Sequence, residues 1–243
     1  MGSSDTKNIA VNVNVKGTGV HTDNKTYGLD AVGLWAYNST KPTDQQTNDG
    51  GHLTINGKNL TVTVHSENGT AYGVLAQNGS TVSSGDVATL IINSENTRIT
   101  ATSGVGESSA ILAMSEGKLK INGNLYASAE NAIVARGDAE ISINESNDKT
   151  VQLVGDINFN YDKKTSGTSV DADVMVNLSG PDSYWIGNAI KSYGSGSTTE
   201  ENMKVSGLKL GLSDGAQWTP DLFKDSTSAN EGKSEIAINQ LAF

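Results

Sequence analysis

Apolar and polar residues alternate along this chain in short runs: IAVNVNV at 9–15, LTVTV at 60–64 and LKI at 119–121. A period of two sends successive side chains to opposite faces, so each run predicts a half-buried β-strand. In the first run Ile9, Val11, Val13 and Val15 share one face, and Ala10, Asn12 and Asn14 the other. Asn-Gly, Glu-Gly and Gly-Asp pairs separate the runs, which is the chemistry of tight turns. A helical reading fails because β-branched residues dominate and glycine or asparagine interrupts every stretch before about ten residues.

The runs also recur in register. SSAILAMSEGKLKIN at 108–122 returns 22 positions later as ENAIVARGDAEISIN at 130–144, keeping Ala110, Ile111, Ala113 and Ile121 as Ala132, Ile133, Ala135 and Ile143. Its first half has fainter copies in VGLWAYNS (32–39) and YGVLAQNGS (72–80), and its second half in LTIN (53–56) and LIIN (90–93). The two earlier copies are lengthened by KPTDQQTNDGG and STVSSGDV, which have the composition of surface loops. One short unit cannot bury its own apolar face. Stacked as parallel strands about 4.8 Å apart, such units lay each apolar position on its counterpart and build a continuous core. The expected fold is therefore all-β, a right-handed parallel β-helix, or solenoid. A sandwich of hairpins is the weaker competitor, since hairpins need no recurrence at one period.

Stacking turns the repeat into columns. Trp35, Leu75, Leu112 and Val134 share one, and its aliphatic members predict a packed Trp35. Tyr37, Gln77, Met114 and Arg136 share a second, whose changing chemistry predicts an outward face. Asn56, Asn93, Asn122 and Asn144 share a third, at a turn where stacked amides can hydrogen-bond along the axis.

The expected organisation is a disordered N-terminus or expression remnant over 1–8, β-helix coils with loop insertions over 9–173, and a C-terminal end over 174–243 that caps the solenoid with a strand-turn region. YDKKTSGTSVDAD (161–173) reads as a polar loop or widened turn. Alternation then resumes in Val174, Val176 and Leu178, and in Leu208, Leu210 and Leu212.

The absence of cysteine rules out a disulfide framework or thiolate metal site. A formal charge of −10, with Arg98 and Arg136 the only arginines, argues against a nucleic-acid partner, which needs a concentrated basic face. No apolar run approaches the roughly 18–20 residues of a membrane-spanning helix, so direct membrane insertion of this segment is not expected.

Catalytic chemistry finds little footing. Glycoside hydrolysis needs paired carboxylates about 5–10 Å apart, and β-helical pectin hydrolases carry Gly-His-Gly and Arg-x-Lys motifs. The nearest match here is Gly51-His52-Leu53, with no Arg-x-Lys. Asp171 and Asp173 form a D-x-D on a segment that reads as loop, and His21, His52 and His65 lie near polar turns and read as solvated. The Asn-x-Ser/Thr triplets at Asn38, Asn68, Asn78, Asn144 and Asn177 are what an Asn/Ser/Thr-rich chain produces by chance. No catalytic, cofactor-binding or metal-ligating residue is assigned, and no cofactor is expected.

LSGPDSYWIGN, followed by a Gly/Ser-rich turn, LKLGLSDGAQW and the final EIAINQLAF, resembles the C-terminal end of autotransporter passenger domains of Gram-negative bacteria. In that family a glycine-rich strand-turn region with tryptophans after small residues closes the β-helix. Trp185, with Gly187 after it, and Trp218, with Gly215 and Ala216 before it, occupy the matching positions. The resemblance covers residues 174–243. It implies a secreted or cell-surface segment attached through an outer-membrane barrel, with Phe243 read as the boundary of a fragment. The expected function is that of an adhesin-like, non-enzymatic passenger segment. It would present loops 38–52 and 79–88 to a host-surface protein or glycan, or self-associate. The alternatives are a polysaccharide-degrading β-helix and a plain structural stalk.

Overall fold

The computed structural model describes residues 7–20, 26–38, 51–79, 87–163, 169–170, 172–193, 207–220 and 240–242. These residues form strands and turns, with no helix among them. The chain opens with β1 (Asn8–Val15), the short pair β2 (Thr18–Val20) and β3 (Thr26–Gly28), then β4 (Ala31–Asn38) and β5 (His52–Ile55). Two similar turns of chain follow: β6 (Asn59–Ser66), β7 (Ala71–Asn78) and β8 (Thr89–Ile92), then β9 (Asn96–Ser103), β10 (Ser108–Met114) and β11 (Lys118–Ile121). Next come β12 (Asn124–Arg136), β13 (Glu140–Ile143), β14 (Val151–Lys163), β15 (Ser169–Val170) and β16 (Asp173–Ser179). The last strands are β17 (Tyr184–Ile186), β18 (Ala189–Tyr193), β19 (Leu208–Ser213), β20 (Gln217–Thr219) and β21 (Gln240–Ala242).

Apart from β2 with β3 and β14 with β15, strands that follow one another in the chain are not neighbours in a sheet. Each pairs in parallel with the equivalent strand one coil away, which is the connectivity of a parallel β-helix. A 7-stranded sheet runs β21-β19-β16-β13-β11-β8-β5. A 12-stranded sheet has two arms, β1-β6-β9-β12 and β12-β10-β7-β4, joined because the long strands β12 and β14 turn a corner and belong to both. Their pairing shifts register between Ser128 and Ile133, and this irregularity carries the corner. The only antiparallel pairs among the described strands are β2 with β3 and β14 with β15. The second of these revises the expectation for 161–173: β14 continues to Lys163, and Asp162 pairs with Val170. Strand β16 begins at Asp173 and so straddles the expected boundary at 173/174, while β1 begins at Asn8, one residue before the expected start.

The doubled line proves to be two adjacent rungs. Ala113 pairs with Ala135 and with Ala76, and Ala76 with Ala36. Ile111, Ile133 and Ile157 stack, as do Leu119, Ile141 and Val174, and Ile121, Ile143 and Val176. All of these are buried, and together with Val62, Ile99 and Leu153 they form one core along the axis. Ile9, Val11, Val13 and Val15 pack on that core from the edge strand β1, where they are half-buried. Gly73 marks a point of closest approach: a Cβ there would lie 2.4 Å from Ile99 Cγ2 and 2.5 Å from the Ala110 carbonyl oxygen.

Two columns depart from expectation. Trp35 does share its column with Leu75, Leu112 and Val134, but it is 49% exposed rather than packed. The column lies on the outer side of its arm, where Leu75, Leu112 and Val134 form a second apolar cluster with Val32, Tyr72 and Met114. Strand β4 is the last strand of that arm, so Trp35 has a neighbouring rung on one side only, and its ring tilts against Tyr37 at 4.8 Å. In the asparagine column, Asn93 Nδ2 donates to Asn56 Oδ1 at 2.9 Å and Asn122 Nδ2 to Asn93 Oδ1 at 2.7 Å. Asn144 leaves this ladder. It is fully buried with φ 53°, donates to the carbonyls of Lys149 and Asn177, and accepts from the amides of Asp148 and Lys149. The turn after β13 is longer than its counterparts, and Asn144 supplies the hydrogen bonds that close it.

Candidate functional site

The outer side of the first arm carries the most developed surface feature. Inward positions there are taken by Leu60, Thr97 and Leu125, so Thr61, Arg98, Tyr126 and Gln152 project outward as vertical neighbours. Beside them runs a second asparagine ladder that the repeat did not announce. Asn59 Nδ2 donates to Asn8 Oδ1 at 2.7 Å, Asn96 Nδ2 to Asn59 Oδ1 at 3.0 Å, and Asn124 Nδ2 to Asn96 Oδ1 at 3.0 Å. Asn124 Oδ1 then accepts the Thr150 amide at 3.0 Å, ending the ladder on backbone. The signal was an asparagine shortly after each Ile-Asn pair, as in INGKN, INSEN and INGN.

Between ladder and column lies an open groove of about 440 Å³, lined by no aspartate or glutamate among the described residues. The Arg98 guanidinium rests on the face of Tyr126, its Cζ 4.0 Å from the ring centroid. This cation–π contact orients the planar group while leaving its N–H edge to solvent. Arg136, by contrast, is committed to Glu107, with Nη2 at 3.0 and 2.9 Å from the two carboxylate oxygens.

The loops singled out from the sequence have defined bases. Residues 39–50 and 80–86 lie outside the described residues, but their flanking strands are fixed. The Gly79 amide donates to the Asn38 carbonyl at 2.7 Å, Thr89 to the Gly51 carbonyl at 2.9 Å, and Ala88 to Asn78 Oδ1 at 2.6 Å. Both loops therefore leave the solenoid at one corner, between the second arm and the 7-stranded sheet. In the next two coils that corner is turned by 115–117 and 137–139 alone.

The residues weighed for chemistry lie apart. His52 is exposed on β5, and His65 Nδ1 lies 2.9 Å from Thr102 Oγ1 on the neighbouring rung. His21 and Asp171 lie outside the described residues, and Asp173 is exposed at the start of β16. Among the described residues no three of His, Asp and Glu converge within metal-binding reach. Of the Asn-x-Ser/Thr asparagines, Asn38, Asn78 and Asn144 are buried.

Two carboxyl groups are held below their ordinary range, both at the surface. Glu145 is lowered by its hydrogen bond from Lys120 and by that ammonium's charge, and Asp148 by hydrogen bonds from Lys149 and Ser146. A lowered carboxyl favours the folded state above its unfolded pKa and loses that contribution as pH falls through the folded value. Such shifts run opposite to what a general acid requires.

The tryptophans of the C-terminal stretch stack on each other across successive coils. Trp185 is fully buried beneath Trp218, with ring centroids 5.0 Å apart and planes within 10°. Each indole N–H reaches the glycine carbonyl one coil back, Trp185 Nε1 to Gly155 O at 2.9 Å and Trp218 Nε1 to Gly187 O at 3.0 Å. Compared with known protein families, with characterised proteins and with solved structures, the chain gives no match.

Proposed function

We propose that this chain is a non-catalytic, adhesin-like passenger segment, exported to the surface of a Gram-negative bacterium, that uses a rigid solenoid to present loops to a partner. The observation that carries this reading is the common corner from which 39–50 and 80–86 depart, above bases pinned by Gly79, Ala88 and Thr89. A solenoid tolerates insertions where they do not interrupt stacking, and loops gathered on one side of a rigid scaffold are the usual place for recognition. The stacked tryptophans and their glycine partners support the passenger resemblance, because they place paired indoles beside glycines in the C-terminal coils.

The test replaces 39–50 and 80–86, separately and together, with the three-residue turn Ser115–Gly117 that rounds the same corner in the coil after 80–86. The intact protein is expected to bind epithelial cells or a glycan array without releasing reducing ends from any polysaccharide. The shortened variants are expected to keep their β-sheet circular dichroism and lose that binding. Cleavage of a polymer would favour the enzyme, and an intact protein that binds nothing would favour the stalk.

A further inference from the structure

We infer that the groove beside Arg98 and Tyr126 is a binding site for an acidic, carboxylate-bearing saccharide. It is separate from the loop corner and would operate whether or not the loops bind. Three observations converge. First, Arg98 is the arginine without a carboxylate partner among the described residues, and it sits in a groove lined by no acidic side chain on a protein of formal charge −10. An ordered guanidinium in such surroundings is a bidentate receptor for a carboxylate.

Second, the rest of the groove suits hydroxyl groups. Each ladder amide spends one N–H and one lone pair on its neighbours, leaving another donor and another acceptor to face outward at Asn59 and Asn96. Thr61 adds a hydroxyl, and the Gln152 amide, anchored to the Asp182 carbonyl at 3.0 Å, keeps its oxygen available. Third, these groups repeat along the axis. The coils from Asn59 to Asn124 span roughly 10 Å, about the length of two linked sugar rings, and the groove volume falls within the roughly 300–1,000 Å³ typical of small-ligand sites. A peptide binding by strand addition would instead look for an open strand edge, and none opens here, because β6, β9 and β12 are each paired on both sides.

Arg98 is exposed, so its substitution leaves the core intact. Titration of the full chain with oligogalacturonate and hyaluronan hexasaccharide, and with cellohexaose as the neutral probe, tests the assignment by calorimetry. At least one acidic probe is expected to bind, the neutral one at least tenfold more weakly. Arg98→Gln is expected to weaken acidic-probe binding at least tenfold, and Arg98→Lys, which keeps charge but not the planar fork, by an intermediate factor. Lys209→Gln, the same charge change on the outer side of the 7-stranded sheet, is expected to leave binding unchanged. The inference is overturned if no acidic probe binds at millimolar concentration, or if Arg98→Gln and Lys209→Gln behave alike. It is equally overturned if poly-glutamate binds as tightly with the same Arg98 dependence, which would make the groove a receptor for acidic peptides.

Discussion

Replacing Ile133 by asparagine is expected to remove at least about 3 kcal/mol of stability. Ile133 is fully buried, with Ile111 and Ile157 as its vertical neighbours. Truncating such a side chain costs roughly 2–5 kcal/mol, and an amide left there without a partner adds about 1–3. Against a typical total of about 5–15 kcal/mol, that is a large share of the stability of the fold. Thr63→Asn, on an exposed outward position of β6, is expected to fall within about 0.5 kcal/mol of the parent. Urea denaturation followed by circular dichroism separates the two. Equal midpoints would mean that the inward and outward positions have been assigned wrongly.

The second large effect is expected at Trp185→Ala, about 3–5 kcal/mol. The substitution empties the largest fully buried site, removes the platform on which Trp218 stacks, and deprives the Gly155 carbonyl of its donor. Trp218→Ala is expected to cost less, because that ring is half-buried and supports no further tryptophan. Trp185→Phe should fall between the parent and the alanine variant, retaining an aromatic face without the N–H. Thermal unfolding monitored by tryptophan emission gives the order. If Trp218→Ala proved the more damaging, the direction in which the C-terminal coils support one another would be reversed.

The stack was legible in the sequence because one period governs it. Ala36, Ala76, Ala113 and Ala135 recur at equivalent points of four successive coils, and Phe159 takes the same place in the next. Trp35 misled because column membership reports the neighbours along the axis. It does not report which side of the sheet is covered, or that β4 ends its arm. Asn144 misled because a lengthened turn requisitioned a side chain whose counterparts ladder. Of the groove, only the asparagine ladder had a sequence signal. Thr61, Arg98, Tyr126 and Gln152 share no chemistry, and strands β6, β9 and β12 lack the common motif that made the other columns visible. They become a site only when the coils bring them together, with Arg98 laid on Tyr126.

The most direct test of the account is whether residues 22 positions apart are vertical neighbours on one face. Lys120 and Ser142 pair across β11 and β13, about 4.8 Å apart between strands and within the roughly 4.4–6.8 Å that a disulfide bridges. The chain has no cysteine of its own. Mass spectrometry after mild oxidation is expected to find an intramolecular bridge in Lys120→Cys/Ser142→Cys and none in Lys120→Cys/Ile143→Cys, whose side chains point to opposite faces. No bridge in the first pair, or equal bridging in both, would contradict the stacked solenoid.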